Sequence, residues 1–220
     1  MPPKIPKKLH FVWVGDETKC PDNCINTWRD NHPDYELRVW GNKELATYPW
    51  VNKSHMDAMY KKELCGVADL MRYEILLNEG GIAIDADSIS LRKLDESFRD
   101  NAWFASWENE RIRPGLIAMG CIGSLKQNPI IFQIVKDIRA EKTFDNLMAW
   151  QAVGPKRLTD SVNKYGKLGL KIYPSHYFLP EHFAGDVYKG DGPVYARQLW
   201  GSTKRLYGDL CDQSIEEMTA

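Results

Sequence analysis

The sequence predicts one α/β domain built on parallel strands. Three observations carry that prediction. The chain opens strand, helix, strand. A periodic apolar helix then runs through Gly-Gly into a short apolar strand. The length, 220 residues, is enough for one sizeable core. Parallel strands need a crossover connection, and a helix between strands supplies it.

KLHFVWV (8–14) is β-branched and aromatic, follows Pro6 and stops at Gly15-Asp16, so it reads as the first strand. Residues 22–31 read as a short helix, and ELRVW (36–40), closed by Gly41-Asn42, as the second strand. In residues 63–79 the apolar positions Leu64, Val67, Ala68, Met71, Ile75 and Leu76 make a helical stripe. Gly80-Gly81 ends it, and IAI (82–84) is a strand of buried character. AWFASW (102–107) and GLIAMGCIGS (115–124) predict two more strands. Prolines at the first turn start helices at 129–140 and from 155 to about 163. LKIYP (170–174) predicts a last strand, and the Gly-, Pro- and Tyr-rich remainder long ordered loops. No repeat, low-complexity tract or linker interrupts this layout, so residues 1–220 are expected to form one domain.

Twenty-nine basic and 30 acidic residues are well mixed, for a net charge of −1. That balance argues against nucleic acid as a partner and leaves peripheral membrane contact open. No segment is apolar enough to span a bilayer, and the N-terminal apolar run is too short and too polar-flanked for a signal peptide. Cysteines 20, 24, 65, 121 and 211 are irregularly spaced, with no second pair at zinc spacing. They read as reduced, which fits a cytoplasmic setting. Eight Trp and ten Tyr are mostly expected in the core, although aromatics with a polar handle also suit sugars and bases.

GGIAIDADSIS (80–90) ends an apolar strand on two acids, Asp85 and Asp87. Two carboxylates there cannot both be buried and ionised without a counter-charge. A divalent cation supplies one, and oxygen-only ligands favour Mg²⁺ or Mn²⁺. Ligands of open α/β sheets bind at the carboxyl ends of strands, where this pair stands. On the tripeptide alone, a solvated polar turn is the better reading. Asp69 and Arg72 change the balance. They are three apart on one helix face, in its most apolar part, so they read as an inward-facing polar site rather than a surface ion pair. A fixed carboxylate and a guanidinium suit sugar hydroxyls.

The run ADLMRYEILLNEGGIAIDAD resembles the signature of the DXD-containing glycosyltransferases, the family of the large clostridial toxin catalytic domains and related mannosyltransferases. IPKKLHFVWVGD resembles that family's first strand, and WRDNHPDYELRVWGN (28–42) its second-strand region. The Gly-Pro of QAVGPKRLTDSV (151–162) is a weaker fourth match. The resemblance implies a GT-A, Rossmann-like fold with a mixed, mostly parallel central sheet, a nucleotide-sugar-binding half (1–110) and an acceptor-side half (111–220). It implies transfer of a hexose from a nucleotide sugar, with retention, using Mn²⁺ or Mg²⁺, to a saccharide or glycoconjugate. Carried over, Trp13 stacks on the base and the Val12 backbone contacts it. Asp69, Arg72 and Asp85 bind the donor sugar. Asp85 and Asp87 hold the metal and are the catalytic pair. From the strand alone, core is the better reading of Trp13, which alternates with Val12 and Val14, and His10, Trp28, Tyr35 and Trp40 read as packing.

The chain departs from the family pattern at three places. Ala83 stands where an aromatic residue is common, and Ala68 where Ser often precedes the Asp. In YARQLWGST (195–203), Gln198 takes the place of a C-terminal metal ligand, with Trp200 and Ser202 expected near the diphosphate. The VWVG block favours UDP over GDP. An oligosaccharide or glycolipid is the expected acceptor, recognised through 175–195. The competing readings are a non-catalytic nucleotide-sugar binder and a HAD-type phosphatase, whose late acidic motif Asp186 and Asp191 imitate.

Overall fold

Five of the seven strands in the central sheet run one way in the computed structural model, which describes residues 2–219. The chain begins with β1 (Lys8–Val12), α1 (Asp22–Asn31) and β2 (Glu36–Trp40). It continues through α2 (Asn42–Thr47), α3 (Lys53–Tyr60), α4 (Leu64–Glu79), β3 (Gly81–Ile84) and β4 (Ser88–Ser90). A hairpin follows, β5 (Trp103–Asn109) and β6 (Arg113–Ile117), then β7 (Cys121–Ser124), α5 (Pro129–Ala140), α6 (Ala149–Ala152) and α7 (Pro155–Tyr165). The chain closes with β8 (Leu170–Tyr173), β9 (Ala196–Gln198), α8 (Gly201–Lys204), α9 (Tyr207–Leu210) and α10 (Ile215–Thr219).

The sheet order is β2-β1-β3-β7-β5-β6, with β8 also on β5. β1 is parallel to β2 and β3, and β5 to β8, while β7 and β6 run against their neighbours. The side-chain period of two splits the strands cleanly. Leu9, Phe11, Ile82 and Ile84 join one apolar cluster with Trp28 and Phe104, and Val12 and Ala83 join the other, under the helices. A third, smaller cluster of Cys24, Ile89, Leu210 and Met218 docks the C-terminal segment.

α4 is the central helix, with ten buried residues. Its length and stripe give it both neighbours: α3 on one side and β3 through the Gly80-Gly81 turn, where both glycines have positive φ (64° and 98°). Glu74, buried on α4, accepts from the backbone N–H groups of Val51 (2.6 Å) and Asn52 (2.9 Å), at the amino end of α3. The N–H of Asn52, the N-cap of α3, and that of Val51 just before the helix are thereby satisfied.

Three expectations change. The first strand ends at Val12 rather than residue 14. The single strand expected over 115–124 is two strands separated at Ala118–Gly120. There the backbone leaves the ladder to serve side chains: the Met119 carbonyl accepts from Arg72 (2.7 Å) and the Gly120 carbonyl from the Asp85 N–H (3.0 Å). The C-terminal part keeps its loop over 178–195 but adds β9 and three short helices after it. β9 pairs antiparallel with β4, setting Gln198 opposite Ser88. Among the described residues no helix is long and apolar enough to cross a membrane.

Candidate donor-sugar and metal site

β1 and β3 lie side by side, with Phe11 opposite Ile84, so Trp13 and Asp85 leave the same edge of the sheet. That edge is the carboxyl end of the parallel strands. Asp69 and Arg72, one helical turn apart on α4, reach it from above.

Arg72 is buried, with 3% of its side chain exposed. Its Nη1 donates to Asp69 Oδ1 (3.1 Å) and to the Met119 carbonyl (2.7 Å), and its Nη2 donates to Asp85 Oδ1. The Tyr73 hydroxyl, one turn along α4, points at Met119 Sδ (3.4 Å). Gln198 completes the pair of acids. Its side-chain N–H groups donate to Asp85 Oδ2 (3.1 Å) and Asp87 Oδ1 (2.9 Å). The other Asp87 oxygen accepts from the Gly201 N–H (2.5 Å). Two carboxylate oxygens therefore converge on one atom position.

Three carboxylates and one guanidinium leave the cluster short of positive charge. Burial pushes the Asp69 carboxyl up to about 7, with Asp85 adding to the rise and Arg72 opposing it. Burial and then the nearby Asp85 raise Asp87 to about 6. Among the described residues no group of three His, Cys, Asp or Glu side chains could hold a metal. The third oxygen-bearing side chain beside the acids is the Gln198 amide. The converging acid oxygens and that amide fit a hard divalent cation, which oxygen donors and negative charge favour.

Each acid has a glycine against it. A Cβ on Gly154 would stand 2.9 Å from Asp69 Oδ2, one on Gly120 3.1 Å from Asp85 Oδ2, and one on Gly201 3.0 Å from Asp87 Oδ2. Gly154 is the glycine of the fourth matching stretch, and its close approach explains the residue there. The roles of Gly120 and Gly201 are not legible in the sequence, because an isolated glycine carries no pattern.

At the end of β1, Val12 is buried and Trp13, the next residue, is half-buried. The Trp13 Nε1 donates to the Asp16 carbonyl (2.9 Å). Its ring borders a shallow hollow lined by Glu17, Cys20, Val39, Gly41 and Glu44. Tyr207, which the sequence reading passed over, meets the Trp13 ring edge-on at 4.9 Å. The Trp200 backbone is left-handed (φ 60°, ψ 37°), and its Nε1 donates to the Glu181 carbonyl (2.8 Å). Its ring packs on His182 and Phe183, and Ser202 is exposed on α8. Trp28 and Trp40 are fully buried, as expected. Asp186 accepts from Asn109 (3.2 Å) and pairs with Arg111, whereas a phosphatase would need its late acid beside the D-x-D pair.

Residues 20–106 match the glycosyltransferase sugar-binding region containing the DXD motif. Inositol phosphoceramide mannosyltransferase 3 of Schizosaccharomyces pombe is 30% identical over 205 residues, covering 84% of this chain and 55% of that protein. Mannosyl phosphorylinositol ceramide synthase CSH1 of Saccharomyces cerevisiae is 28% identical over 151 residues, covering 64% and 37%. The chain thus spans only about half, or less, of the length of these curated relatives. The PaToxG glycosyltransferase superposes with a TM-score of 0.59 at 18% identity, covering 74% of this chain and 71% of that one. The galactosyltransferase LgtC, solved with donor and acceptor sugar analogues, gives 0.52 at 13% identity, covering 96% and 94%. Residues 20–106 thus carry the sugar-binding region of the DXD-containing glycosyltransferases, and the chain has the GT-A fold of the solved structures it superposes on.

Proposed function

We propose that this chain is a metal-dependent, retaining glycosyltransferase that moves a hexose from a nucleotide sugar to a glycolipid or oligosaccharide. The observation that carries the reading is the convergence of Asp69, Arg72, Asp85, Asp87 and Gln198 at the strand ends beside Trp13. Trp13 would stack on the base, with the Val12 backbone against its edge. Asp69, Arg72 and Asp85 would hold the sugar hydroxyls, and Ser202 and Trp200 would border the diphosphate. Asp85, Asp87 and Gln198 would hold Mn²⁺ or Mg²⁺, with the Gln198 amide turned to present its oxygen. Bound there, the cation would neutralise charge growing on the departing diphosphate. The bond from the anomeric carbon to the phosphate oxygen breaks as the acceptor oxygen attacks on the same face. The departing phosphate takes the acceptor's proton, so no enzymic nucleophile is required.

The sequence favours a uridine nucleotide. The two relatives above are named an inositol phosphoceramide mannosyltransferase and a mannosyl phosphorylinositol ceramide synthase, which favours a mannosyl donor and a lipid acceptor; the mannosyltransferases of the family that the sequence resembles use GDP-mannose, which favours GDP. The deciding experiment is a thermal-shift series with UDP, GDP and their sugars, with and without Mn²⁺. At a hundredfold excess over Kd, a native-state ligand should raise Tm by roughly 5–10 °C. The rise is expected for one nucleotide series, only with Mn²⁺, and not in a folded Asp87→Ala variant. A rise that survives Asp87→Ala refutes the metal assignment, and no rise with any nucleotide refutes the transferase reading.

A further inference from the structure

The Asp69 side of the cluster opens onto a second group of side chains. A Cβ on Gly154 would touch both Asp69 Oδ2 (2.9 Å) and the Trp150 Cα (2.8 Å), so only a glycine separates the acid from Trp150. The Arg113 guanidinium lies over the Trp150 ring at 4.9 Å and over the Phe183 ring at 5.5 Å. Phe183 packs in turn on Trp200 (5.3 Å), and Trp200 precedes Gly201, whose N–H holds Asp87. Trp150, Arg113 and Phe183 thus form a chain of contacts linking the surroundings of Asp69 to those of Asp87. All three are half-buried, so they are accessible.

Arg113 is fixed from behind. Its Nε faces Glu108 Oε1 at 3.4 Å, and that buried carboxylate also faces His182 Nε2 at 3.4 Å. Among the described residues its Nη1 and Nη2 meet no acceptor. A guanidinium held at one end and flanked by two rings keeps its outer edge ordered. That edge offers parallel N–H groups, the geometry that binds phosphate bidentately. The aromatic walls suit the carbon faces of a sugar or polyol.

We propose that Trp150, Arg113 and Phe183 form the acceptor subsite, and that it takes a polyol carrying a phosphate ester. The phosphate sits on the Arg113 fork, and the ring lies between the aromatic walls with a hydroxyl toward Asp69. The proposal rests on the glycosyltransferase reading. The phosphate could come from a lipid headgroup or from a soluble phosphorylated polyol, and the probes separate these sources.

The test is titration calorimetry on the full chain with glycerophosphoinositol, myo-inositol and inorganic phosphate. Wild type should bind the diester at least tenfold more tightly than either fragment. Arg113→Ala should weaken diester binding tenfold or more, and Arg113→Lys should not restore it, because an ammonium has no fork. Phe183→Leu should weaken the diester and myo-inositol alike. Micelles containing phosphatidylinositol, matched against the soluble diester, read whether the lipid adds affinity; stronger binding assigns the source to a headgroup and equal binding to a soluble polyol. Equal binding by wild type and Arg113→Ala, or by diester and inorganic phosphate, overturns the proposal, as does undetectable binding to wild type. The diester titration is run without nucleotide, so failure of the donor-site reading shows separately in the thermal-shift series.

Discussion

His10 shows how a single side chain can be specified by its two ring nitrogens. It is buried in β1, with Nε2 2.9 Å from the Gly80 carbonyl, and its Nδ1 accepts from Trp40 Nε1 at 3.2 Å. A carbonyl requires a donor and an indole N–H requires an acceptor, so the ring is neutral with its proton on Nε2. Burial lowers its pKa from 6.5 to about 4, against the opposing bond to Gly80. The unfolded chain therefore binds the extra proton first as pH falls. Stability is lost between pH 6.5 and about 4 and is unaffected by this group above that window. Urea unfolding at pH 7.5 and 4.5 should show His10→Gln losing about 2 kcal/mol less than wild type between the two conditions. Equal losses would mean that His10 is protonated in the fold. The sequence placed this histidine as packed, since a residue type on a strand reveals burial. It could not reveal the tautomer, which depends on Trp40, thirty residues away.

Elements were legible where their pattern was local. α1, β2 and α5 run over the residues read from the sequence, and α4 begins within one residue of its predicted start. The missed elements had conflicting or absent local signals. α2 and α3 flank Pro49, and α3 takes its amino-end partner from Glu74 on another helix. β6 and β7 merged into one apolar run because nothing in AMG says that two of its carbonyls are claimed by Arg72 and Asp85. The candidate site was legible at its acids because helix and strand periodicity place them. The glycines that fit against those acids follow from packing between distant elements. The α6–α7 junction is the clearest case. Gly154 begins α7 one residue before Pro155 and lies under Asp69 of α4. Gly154→Ala must push either the Trp150 backbone or the Asp69 carboxylate, an overpacking cost of about 1–3 kcal/mol. If Asp69 holds donor hydroxyls, nucleotide-sugar affinity falls about tenfold while affinity for the nucleoside diphosphate alone holds within about twofold, since the lost contact is one charged hydrogen bond. Equal loss of both ligands would remove Asp69 from sugar binding.

At the scale of the molecule, the candidate site lies where a rigid body meets a weakly held segment. Two large apolar clusters sandwich the sheet and fix Trp13, Asp69, Arg72 and Asp85. The segment that supplies the Gly201 N–H and Tyr207 is anchored differently. Among the described residues its own cluster buries only Cys24, Ile89, Leu210 and Met218, and Asn23 ties it down through the carbonyls of Leu210 (2.6 Å) and Gln213 (2.9 Å). Two non-glycine residues with left-handed backbones, Trp200 and Arg205 (φ 60° and 58°), bracket α8, and each stores about 1–3 kcal/mol of strain. Few buried contacts and stored strain both lower the free energy of local opening. Hydrogen exchange should therefore find the amides of 201–218 opening sub-globally, well before those of β1, β3 and α4. Because Gly201 and Tyr207 contact Asp87 and Trp13, nucleotide with Mn²⁺ should slow exchange across 201–218 and leave the sheet unchanged. Protection equal to that of the sheet without ligand would show the segment to be part of the rigid body. Slowing in the sheet but not in 201–218 would place the nucleotide away from the Trp13–Tyr207 edge.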